Sequence, residues 1–165
     1  MMLHGSCYCS AVRFSVESHT PYPYMRCYCS ICRKTAGGGG YAINIMGQAA
    51  SLKVQGKKSV KVYQARISNP GKSKKTKLSP AHRNFCGTCG SALWIEDPQW
   101  PEWVYPFASA IDTPLPIPPE RVHIMLDFAS NWCEIPKGKR DSQFRRYPDE
   151  SIVDWHRRHG LYGAS

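Results

Sequence analysis

The chain has 165 residues, a length that suits one domain with a buried core of its own. Its composition, 42% apolar and 21% charged, is that of an ordinary globular protein, and no run of apolar residues is long enough to predict a membrane span. The first residues lack the charged and apolar regions of a secretory signal. We therefore expect a single domain over residues 1–165 in the cytoplasm, where closely spaced cysteines more often bind metal than form disulfides.

The formal net charge of +10 is concentrated in the first half of the chain. No acidic residue occurs between Glu17 and Glu96, whereas lysines and arginines are frequent there. Such a basic half is typical of a protein that binds an anion, either a nucleic acid or a small acidic ligand. Cations also compensate the negative charge of a zinc ion bound by four thiolates, so several interpretations stay open. The stretch lacks a groove-reading helix or an aromatic platform, which argues against a nucleic-acid partner.

The pattern of apolar residues predicts strands along most of the chain. Alternation of apolar and polar residues predicts a strand over 11–17, and further segments predict strands over 41–46, 52–54, 60–65, 92–95, 103–107 and 122–128. The stretch 69–80 is rich in Lys, Ser, Gly and Pro and is predicted to be a surface loop. Ser151 is a suitable N-cap for a short helix that ends at Gly160. We therefore expect a mainly β protein with small helical pieces.

Seven of the eight cysteines fall into three closely spaced groups. The groups are Cys7-x-Cys9, Cys27-x-Cys29-x-x-Cys32 and Cys86-x-x-Cys89. Cysteines one or two residues apart do not easily meet the geometry of a disulfide, but they can place two sulfurs on one tetrahedral ion at about 2.3 Å. The third group, followed by Gly90, has the form of a zinc knuckle. A knuckle needs two further ligands, and the first group can supply them.

The cysteine groups predict two zinc sites of different character. A site of four thiolates closes the coordination shell, so it is expected to be structural and to contribute to folding. The group Cys27, Cys29 and Cys32 leaves a fourth position open, as in a zinc site that exchanges ligands. Alternatively, His4, His82 or another side chain completes that site, and spacing alone also permits a different sorting of the ligands. Cys133 is isolated from the other cysteines in the sequence and is given no role.

The cysteine motifs resemble, in the same order, those of the glutathione-dependent formaldehyde-activating enzyme family, which includes the centromere protein V domain. They read HGSCYC at residues 4–9, RCYCSICRK at 26–34 and NFCGTCGS at 84–91. SAID at 109–112, VHI at 122–124 and NW at 131–132 resemble later landmarks of the family. The resemblance implies a small zinc-stabilised β-tent built from several short antiparallel sheets.

The same resemblance implies roles for the cysteines. The structural zinc site would be formed by Cys7, Cys9, Cys86 and Cys89. Cys27, Cys29 and Cys32 would hold a second zinc, more weakly, and carry the chemistry. The family's reaction joins glutathione and formaldehyde into S-hydroxymethylglutathione, which is classed as a carbon–sulfur lyase step. One position departs from the family: the residue between the first two cysteines of the second motif is commonly His and is here Tyr28, which still offers a hydrogen-bond donor.

The residues after the second motif suggest how a thiol substrate is bound. A zinc ion with an open position stabilises a bound thiolate, which can attack the carbonyl carbon of a small aldehyde. Arg33 and Lys34 can receive a carboxylate of glutathione, or they compensate the charge of the zinc cluster. The four glycines 37–40 allow the backbone to approach a ligand or form a flexible turn.

The sequence thus predicts a zinc-dependent enzyme that acts on the adduct of a thiol, such as glutathione, and a small aldehyde, such as formaldehyde. Two alternatives stay open. The first is a non-catalytic zinc module whose basic face binds an anionic partner, and the second is a thiol-binding protein without turnover. The sequence gives no information about the oligomeric state.

Overall fold

The structure is a computed structural model that describes residues 1–67 and 76–163. Its strands, in chain order, are β1 Met2–Ser6, β2 Arg13–Glu17, β3 Met25–Cys27, β4 Ala42–Ile43, β5 Gly47–Gln48, β6 Lys53–Gln55, β7 Val60–Tyr63, β8 Arg66–Ile67, β9 Lys77–Leu78, β10 His82–Cys86, β11 Ala92–Glu96, β12 Trp103–Pro106, β13 Arg121–Ile124 and β14 Asp141–Gln143. Its α-helices are α1 Ser30–Thr35 and α2 Ile152–Arg158. Short 3-10 helices span Ala49–Ser51, Lys57–Ser59, Ala108–Ala110 and Leu126–Phe128.

The strands form several small sheets, which confirms the predicted mainly β fold. Three antiparallel strands pair in the order β1-β2-β6, and five antiparallel strands pair in the order β5-β12-β11-β10-β7. A third sheet has the order β14-β13-β3-β4, and β8 pairs with β9. In the third sheet β13 runs parallel to both β3 and β14, a departure from purely antiparallel pairing. These parallel pairs place residues 25–27, 121–124 and 141–143 side by side.

Two apolar clusters fill the space between the sheets. The first joins the sheet of β1 to that of β11, where Phe14 meets Trp94 edge to face with ring centroids 5.3 Å apart. The second lies under the third sheet and is closed by Trp155 of α2, which stacks on Tyr24 at 3.7 Å. Cysteines belong to both clusters: Cys7 and Cys86 to the first, and Cys27 and Cys32 to the second. The two predicted zinc sites therefore lie on different parts of the core.

The boundaries of several elements differ from prediction. The predicted strand 122–128 ends at Ile124 because Met125 adopts a left-handed conformation, φ +62°, before the 3-10 helix Leu126–Phe128. The predicted strand 41–46 is reduced to β4 and isolated bridges. Residues 69–75 of the predicted loop 69–80 lie outside the described residues, and within the rest of that loop Lys77–Leu78 forms the short strand β9. The sequence does not predict helix α1 or strands β1, β3, β5, β8, β9, β10 and β14, because each is short or overlaps a cysteine motif.

The predicted C-terminal helix is confirmed. Helix α2 begins after Ser151, whose hydroxyl accepts a hydrogen bond from the Asp154 N–H at 3.1 Å. The chain leaves the helix through Gly160 at φ +67°, a conformation that favours glycine. Within residues 1–67 and 76–163, no helix is long and apolar enough to cross a bilayer.

Candidate metal centres

Cys7, Cys9, Cys86 and Cys89 meet at one end of the first apolar cluster. Their sulfur atoms all lie within 4.8 Å of one another. The separations are 3.6 Å between Cys7 Sγ and Cys9 Sγ and 3.8 Å between Cys9 Sγ and Cys86 Sγ. Four sulfurs on a tetrahedron with zinc–sulfur bonds of about 2.3 Å would be about 3.8 Å apart. The spacing of this donor set therefore fits a tetrahedral ion such as zinc.

Two tight turns bring these sulfurs together. Cys7 and Cys9 lie in the turn after β1, where Ser10 takes a positive φ of +60° and its N–H donates to the Cys7 carbonyl at 3.0 Å. Cys86 ends β10, and Cys89 lies in the turn to β11, which closes through Gly90 at φ +77°. The two turns are joined by a hydrogen bond from the Tyr8 N–H to Ser91 Oγ at 3.2 Å.

Backbone and side-chain donors are aimed at the sulfurs of this group. The Val12 N–H donates to Cys7 Sγ at 3.2 Å. Hydrogen bonds from the Ser91 side chain and backbone hold the pKa of the Cys89 thiol at about 5, well below its ordinary value. Donors of this kind favour thiolates, which are the form of cysteine that binds metal.

Cys27, Cys29 and Cys32 form a second group of sulfurs, again all within 4.8 Å of one another. Cys27 ends β3, where it pairs with Ala42 of β4 and Ile124 of β13. Cys29 is the N-cap of α1, and its sulfur accepts a hydrogen bond from the Cys32 N–H at 3.3 Å. The end of β3, the N-cap and the first turn of α1 therefore bring the three sulfurs close together.

The second group favours thiolate at one of its members. Hydrogen bonds from Cys27 and then Cys32 hold the pKa of Cys29 far below its ordinary value. The guanidinium of Arg83 lies beside the group, with Nη1 4.0 Å from Cys32 Sγ. A positive charge at this distance favours the same ionised form.

Within residues 1–67 and 76–163, no histidine, carboxylate or further cysteine joins the second group. His4 and His82, the predicted alternatives for a fourth ligand, are both outside it. His4 lies on β1 and His82 begins β10. Three sulfurs without a fourth protein donor match a metal site that keeps one position for a small molecule.

Arg83 of β10 is a cation that the sequence prediction did not assign to the site. Arg33 and Lys34, which were assigned, follow Cys32 in α1; Arg33 is half-buried and Lys34 is exposed. Two residues along an α-helix correspond to about 200° of rotation, so Lys34 leaves α1 on the side away from Cys32. In the described part of the chain neither Arg33 nor Arg83 forms an ion pair with an acidic side chain. Both also have a buried Nε atom without a hydrogen-bond partner there.

Tyr147 is a second residue near the group that the sequence did not single out. Desolvation and then the charges of Cys27, Cys29 and Cys32 raise its pKa to about 12, although 68% of the side chain is exposed to solvent. Tyr147 is therefore an exposed side chain that is sensitive to the charge of the sulfurs. No sequence signal marks it, because it follows Cys32 by more than a hundred residues and lies in no regular element.

A mainly apolar cavity of about 240 Å³ is lined in part by Arg83, whose guanidinium reaches Cys32. The remaining walls include Thr35, Tyr63, Phe85, Ala92 and Phe107. Arg83 therefore links an apolar cavity to the cysteine group, although none of the three cysteines lines that cavity.

The glycine stretch and Cys133 pack against each other. Gly40 has φ +88°, and a Cβ atom there would lie 2.6 Å from Cys133 Sγ. The Gly40 N–H donates to the Gly37 carbonyl at 3.0 Å, so these residues form a closed turn. The Cys133 thiol donates to the Gly39 carbonyl at 3.3 Å. These contacts support the turn rather than ligand approach as the reason for the glycines.

Comparisons with known proteins agree on one family. Residues 2–127 match the model of the family described as "Glutathione-dependent formaldehyde-activating enzyme". A Halomonas elongata protein named "Putative glutathione-dependent formaldehyde-activating enzyme" is 57% identical over 161 residues, which cover 98% of each chain. A solved structure of a Rhodobacter sphaeroides protein is 26% identical, covers 70% of this chain and 92% of its own, and has a TM-score of 0.49, too low to inform the site.

Proposed function

The chain belongs to the glutathione-dependent formaldehyde-activating enzyme family, and on this basis we propose that it joins glutathione and formaldehyde into S-hydroxymethylglutathione. The proposed activity is that of a carbon–sulfur lyase, which forms or breaks one C–S bond. Because glutathione and reduced thiols are characteristic of the cytoplasm, we infer that the protein acts there.

The open group of three cysteines is the observation that supports this proposal most directly. Three thiolates donate charge to a zinc ion and make it a poor activator of water, but they leave room for a fourth sulfur. Zinc bound here would lower the pKa of an incoming thiol and hold it as a thiolate. A site of this kind suits thiol chemistry better than hydrolysis.

The reaction is balanced without an oxidant or a reductant. The glutathione thiol loses its proton, and its sulfur attacks the carbonyl carbon of formaldehyde. A C–S bond forms while the carbonyl π bond breaks, and the electron pair goes to the oxygen. The oxygen takes up a proton and becomes the hydroxyl of the product. The reverse reaction cleaves the same C–S bond.

The residues of the chain would bind and orient the substrate. Glutathione carries two carboxylates, and Arg83 and Arg33 are cations near the sulfurs without an acidic partner in the described residues. The arginine fork forms strong paired hydrogen bonds with a carboxylate. The cavity that Arg83 lines would hold part of the tripeptide backbone. Lys34, exposed on α1, would contribute long-range attraction rather than contact.

The four-cysteine group would hold a separate, structural zinc ion. Its coordination shell would be complete, so it would have no position for a substrate. Cys9 and Cys89 are exposed but Cys7 and Cys86 are buried in the first apolar cluster, as expected for a site that is part of the core.

Formation of S-hydroxymethylglutathione by the purified protein tests the proposal when it is compared with the Cys29→Ser variant. We expect the wild-type protein to accelerate adduct formation and the variant to lose that acceleration, because a neutral hydroxyl replaces one thiolate ligand. Cys133→Ser is the matched control, since Cys133 is a half-buried cysteine outside both groups.

Three results would contradict the proposal in different ways. Absence of activity in the wild-type protein together with glutathione binding would indicate a thiol-binding protein without turnover. Full activity in Cys29→Ser would show that the reaction does not require the three-cysteine group. Equal loss in Cys29→Ser and Cys133→Ser would indicate general damage to the thiols.

A further inference from the structure

Tyr28, which lies between two of the three clustered cysteines, is completely buried and makes a side-chain hydrogen bond to a distant strand. We propose that Tyr28, His123 and Asp141 form a buried hydrogen-bonded chain that positions the Cys27–Cys32 segment for metal binding. This inference rests on the metal-binding part of the proposed function. It assigns a role to Tyr28, which the proposed reaction does not use.

The side chains of these three residues are buried in the protein. Tyr28 and His123 have no exposed surface, and 1% of the Asp141 side chain is exposed. The Tyr28 hydroxyl lies 2.8 Å from His123 Nδ1, and His123 Nε2 lies 3.0 Å from Asp141 Oδ1. The parallel strands bring the three residues together, because His123 is in register with Arg26 of β3 and with Gln143 of β14.

The direction of the hydrogen bonds follows from Asp141. Its carboxylate already accepts hydrogen bonds from Arg121 Nη2 at 2.8 Å and from the Gly138 N–H at 2.9 Å. A carboxylate only accepts, so His123 Nε2 carries the proton and donates it to Asp141. Nδ1 of the same neutral ring is then an acceptor, and the Tyr28 hydroxyl donates to it. Each polar side-chain atom of Tyr28, His123 and Asp141 thus has a hydrogen-bond partner, as the burial of these atoms requires.

Tyr28 is fixed at two points on either side of its Cα atom. Its backbone N–H donates to the Ile124 carbonyl at 3.0 Å, while its hydroxyl is held by His123. Cys27 and Cys29 are its direct neighbours, so fixing Tyr28 also fixes the directions in which their sulfurs point. A site with three protein ligands gains more from such pre-organisation than one with four, since it has fewer bonds to impose its geometry.

Burial decides between positioning and catalysis. A fully buried hydroxyl that donates to His123 cannot touch a substrate, so Tyr28 is a positioning residue. Supporting hydrogen bonds behind metal ligands typically contribute about tenfold to a hundredfold in metal affinity.

Cobalt binding to the whole protein tests the inference without measuring catalysis. After metal removal, Co²⁺ is titrated into wild type, Tyr28→Phe and the matched control Tyr24→Phe. Tyr24 is also a buried tyrosine and lies just before this segment, but its hydroxyl has no hydrogen-bond partner in the described residues. The absorption bands of thiolate-bound Co²⁺ and competition with a chelator give the geometry and affinity of each site.

We expect Tyr28→Phe to weaken Co²⁺ binding at the three-cysteine site about tenfold to a hundredfold and to shift its absorption bands. The four-cysteine site should keep its affinity, which also shows that the variant is folded. Tyr24→Phe should leave both sites unchanged. His123→Leu removes the hydrogen-bond acceptor of Tyr28 without substituting a residue of the metal-binding segment. It should also weaken Co²⁺ binding at the three-cysteine site.

Unchanged Co²⁺ affinity at the three-cysteine site in both Tyr28→Phe and His123→Leu would overturn the inference. Equal weakening of both metal sites would also overturn it, because that result indicates loss of overall stability. If the wild-type protein binds only one Co²⁺ ion, the three-cysteine group is not a metal site. That result would overturn both the proposed metal site and this inference. Protein that binds two ions but forms no adduct would overturn the proposed activity alone.

Discussion

At the residue scale, Arg83 differs from Arg33 and Lys34 in a way that proximity in the sequence does not predict. Arg33 and Lys34 attract attention because they directly follow Cys32. Helical geometry turns Lys34 away, whereas β10 carries Arg83 to within 4.0 Å of the Cys32 sulfur from fifty-one residues further along the chain. A contact of this kind depends on how strands pair, which the spacing of residues in one motif does not encode.

Arg83→Gln tests whether this guanidinium binds a carboxylate of the substrate. A hydrogen bond to a charged group contributes about 1.5–3 kcal/mol, so we expect the KM for glutathione to rise about tenfold or more. The kcat/KM for a thiol without carboxylates, such as N-acetylcysteamine, should change little. Steady-state kinetics with both thiols separates these effects.

Arg66→Gln is the matched control for Arg83→Gln, because Arg66 is exposed on β8. An equal loss of activity with both thiols in Arg83→Gln would contradict carboxylate binding. It would indicate that the arginine supports the sulfur cluster itself.

At the element scale, α2 is attached to the β-sheets by two buried side chains, Trp155 and His156, and by the acidic residue Glu120. Trp155 stacks on Tyr24, and its indole N–H donates to Glu120 Oε2 at 3.0 Å. Glu120 also pairs with Arg158 at 3.0 Å. The sequence predicted α2 and its cap correctly because Ser151 and Gly160 are local signals. It did not predict what α2 packs against, since Tyr24 and Glu120 are distant in the chain.

Ser151→Ala should lower the free energy of unfolding by about 1 kcal/mol, because the Asp154 N–H loses its capping acceptor. Urea unfolding followed by the fluorescence of the tryptophans measures the change. Ser109→Ala replaces an exposed serine in the 3-10 helix Ala108–Ala110 and should have a smaller effect. Equal effects of the two substitutions would show that the capping hydrogen bond of Ser151 does not stabilise the fold.

Glu120 makes the attachment of α2 dependent on pH. Burial alone would raise its pKa, but hydrogen bonds from Ser142, Arg158 and His159 lower it from 4.5 to about 2. Because the folded-state pKa is depressed, the stabilisation is complete above about pH 4.5 and is lost as the pH falls towards 2. We expect the ionised Glu120 carboxylate to contribute about 1–2 kcal/mol to the free energy of unfolding. This is less than the full pKa shift implies, since the carboxylate is partly exposed.

Unfolding of wild type and Glu120→Gln as a function of pH measures this contribution. The difference in free energy of unfolding between the two proteins should be constant above about pH 5 and shrink below pH 4.5. Acid also protonates metal-binding thiolates, but this effect is common to both proteins and cancels in the difference. A difference that is independent of pH would show that the Glu120 carboxylate does not stabilise the fold through its charge.

At the scale of the whole molecule, the cysteine motifs predicted more than the strands did. The spacing of Cys86 and Cys89 is a local signal, and the two groups of sulfurs meet as the motifs implied. The buried chain from Tyr28 to Asp141 was not predictable, because it depends on parallel pairing of strands that lie far apart in the sequence. Short strands with little alternation, such as β3 and β14, carry no pattern that marks their partners.

The two groups of cysteines should contribute very differently to the stability of the fold. A metal ion in the four-cysteine site would connect Cys9 to Cys86 across 77 residues, whereas the other site spans only the segment from Cys27 to Cys32. A cross-link that closes a long loop removes more entropy from the unfolded chain than one that closes a short loop. The binding free energy of a closed zinc site is also part of the folding free energy.

Cys89→Ser and Cys29→Ser test this difference with one ligand removed from each site. Cys89 is exposed, so its replacement leaves the apolar core intact. We expect Cys89→Ser to lose one zinc ion per chain and to lower the thermal unfolding temperature by more than 10 °C, since a loss of 1 kcal/mol alone shifts a domain of this size by about 2–4 °C. Cys29→Ser should lose the other ion with a shift of only a few degrees. Elemental analysis and calorimetry on the same samples give both quantities, and a larger shift for Cys29→Ser would reverse the assignment of structural and functional sites.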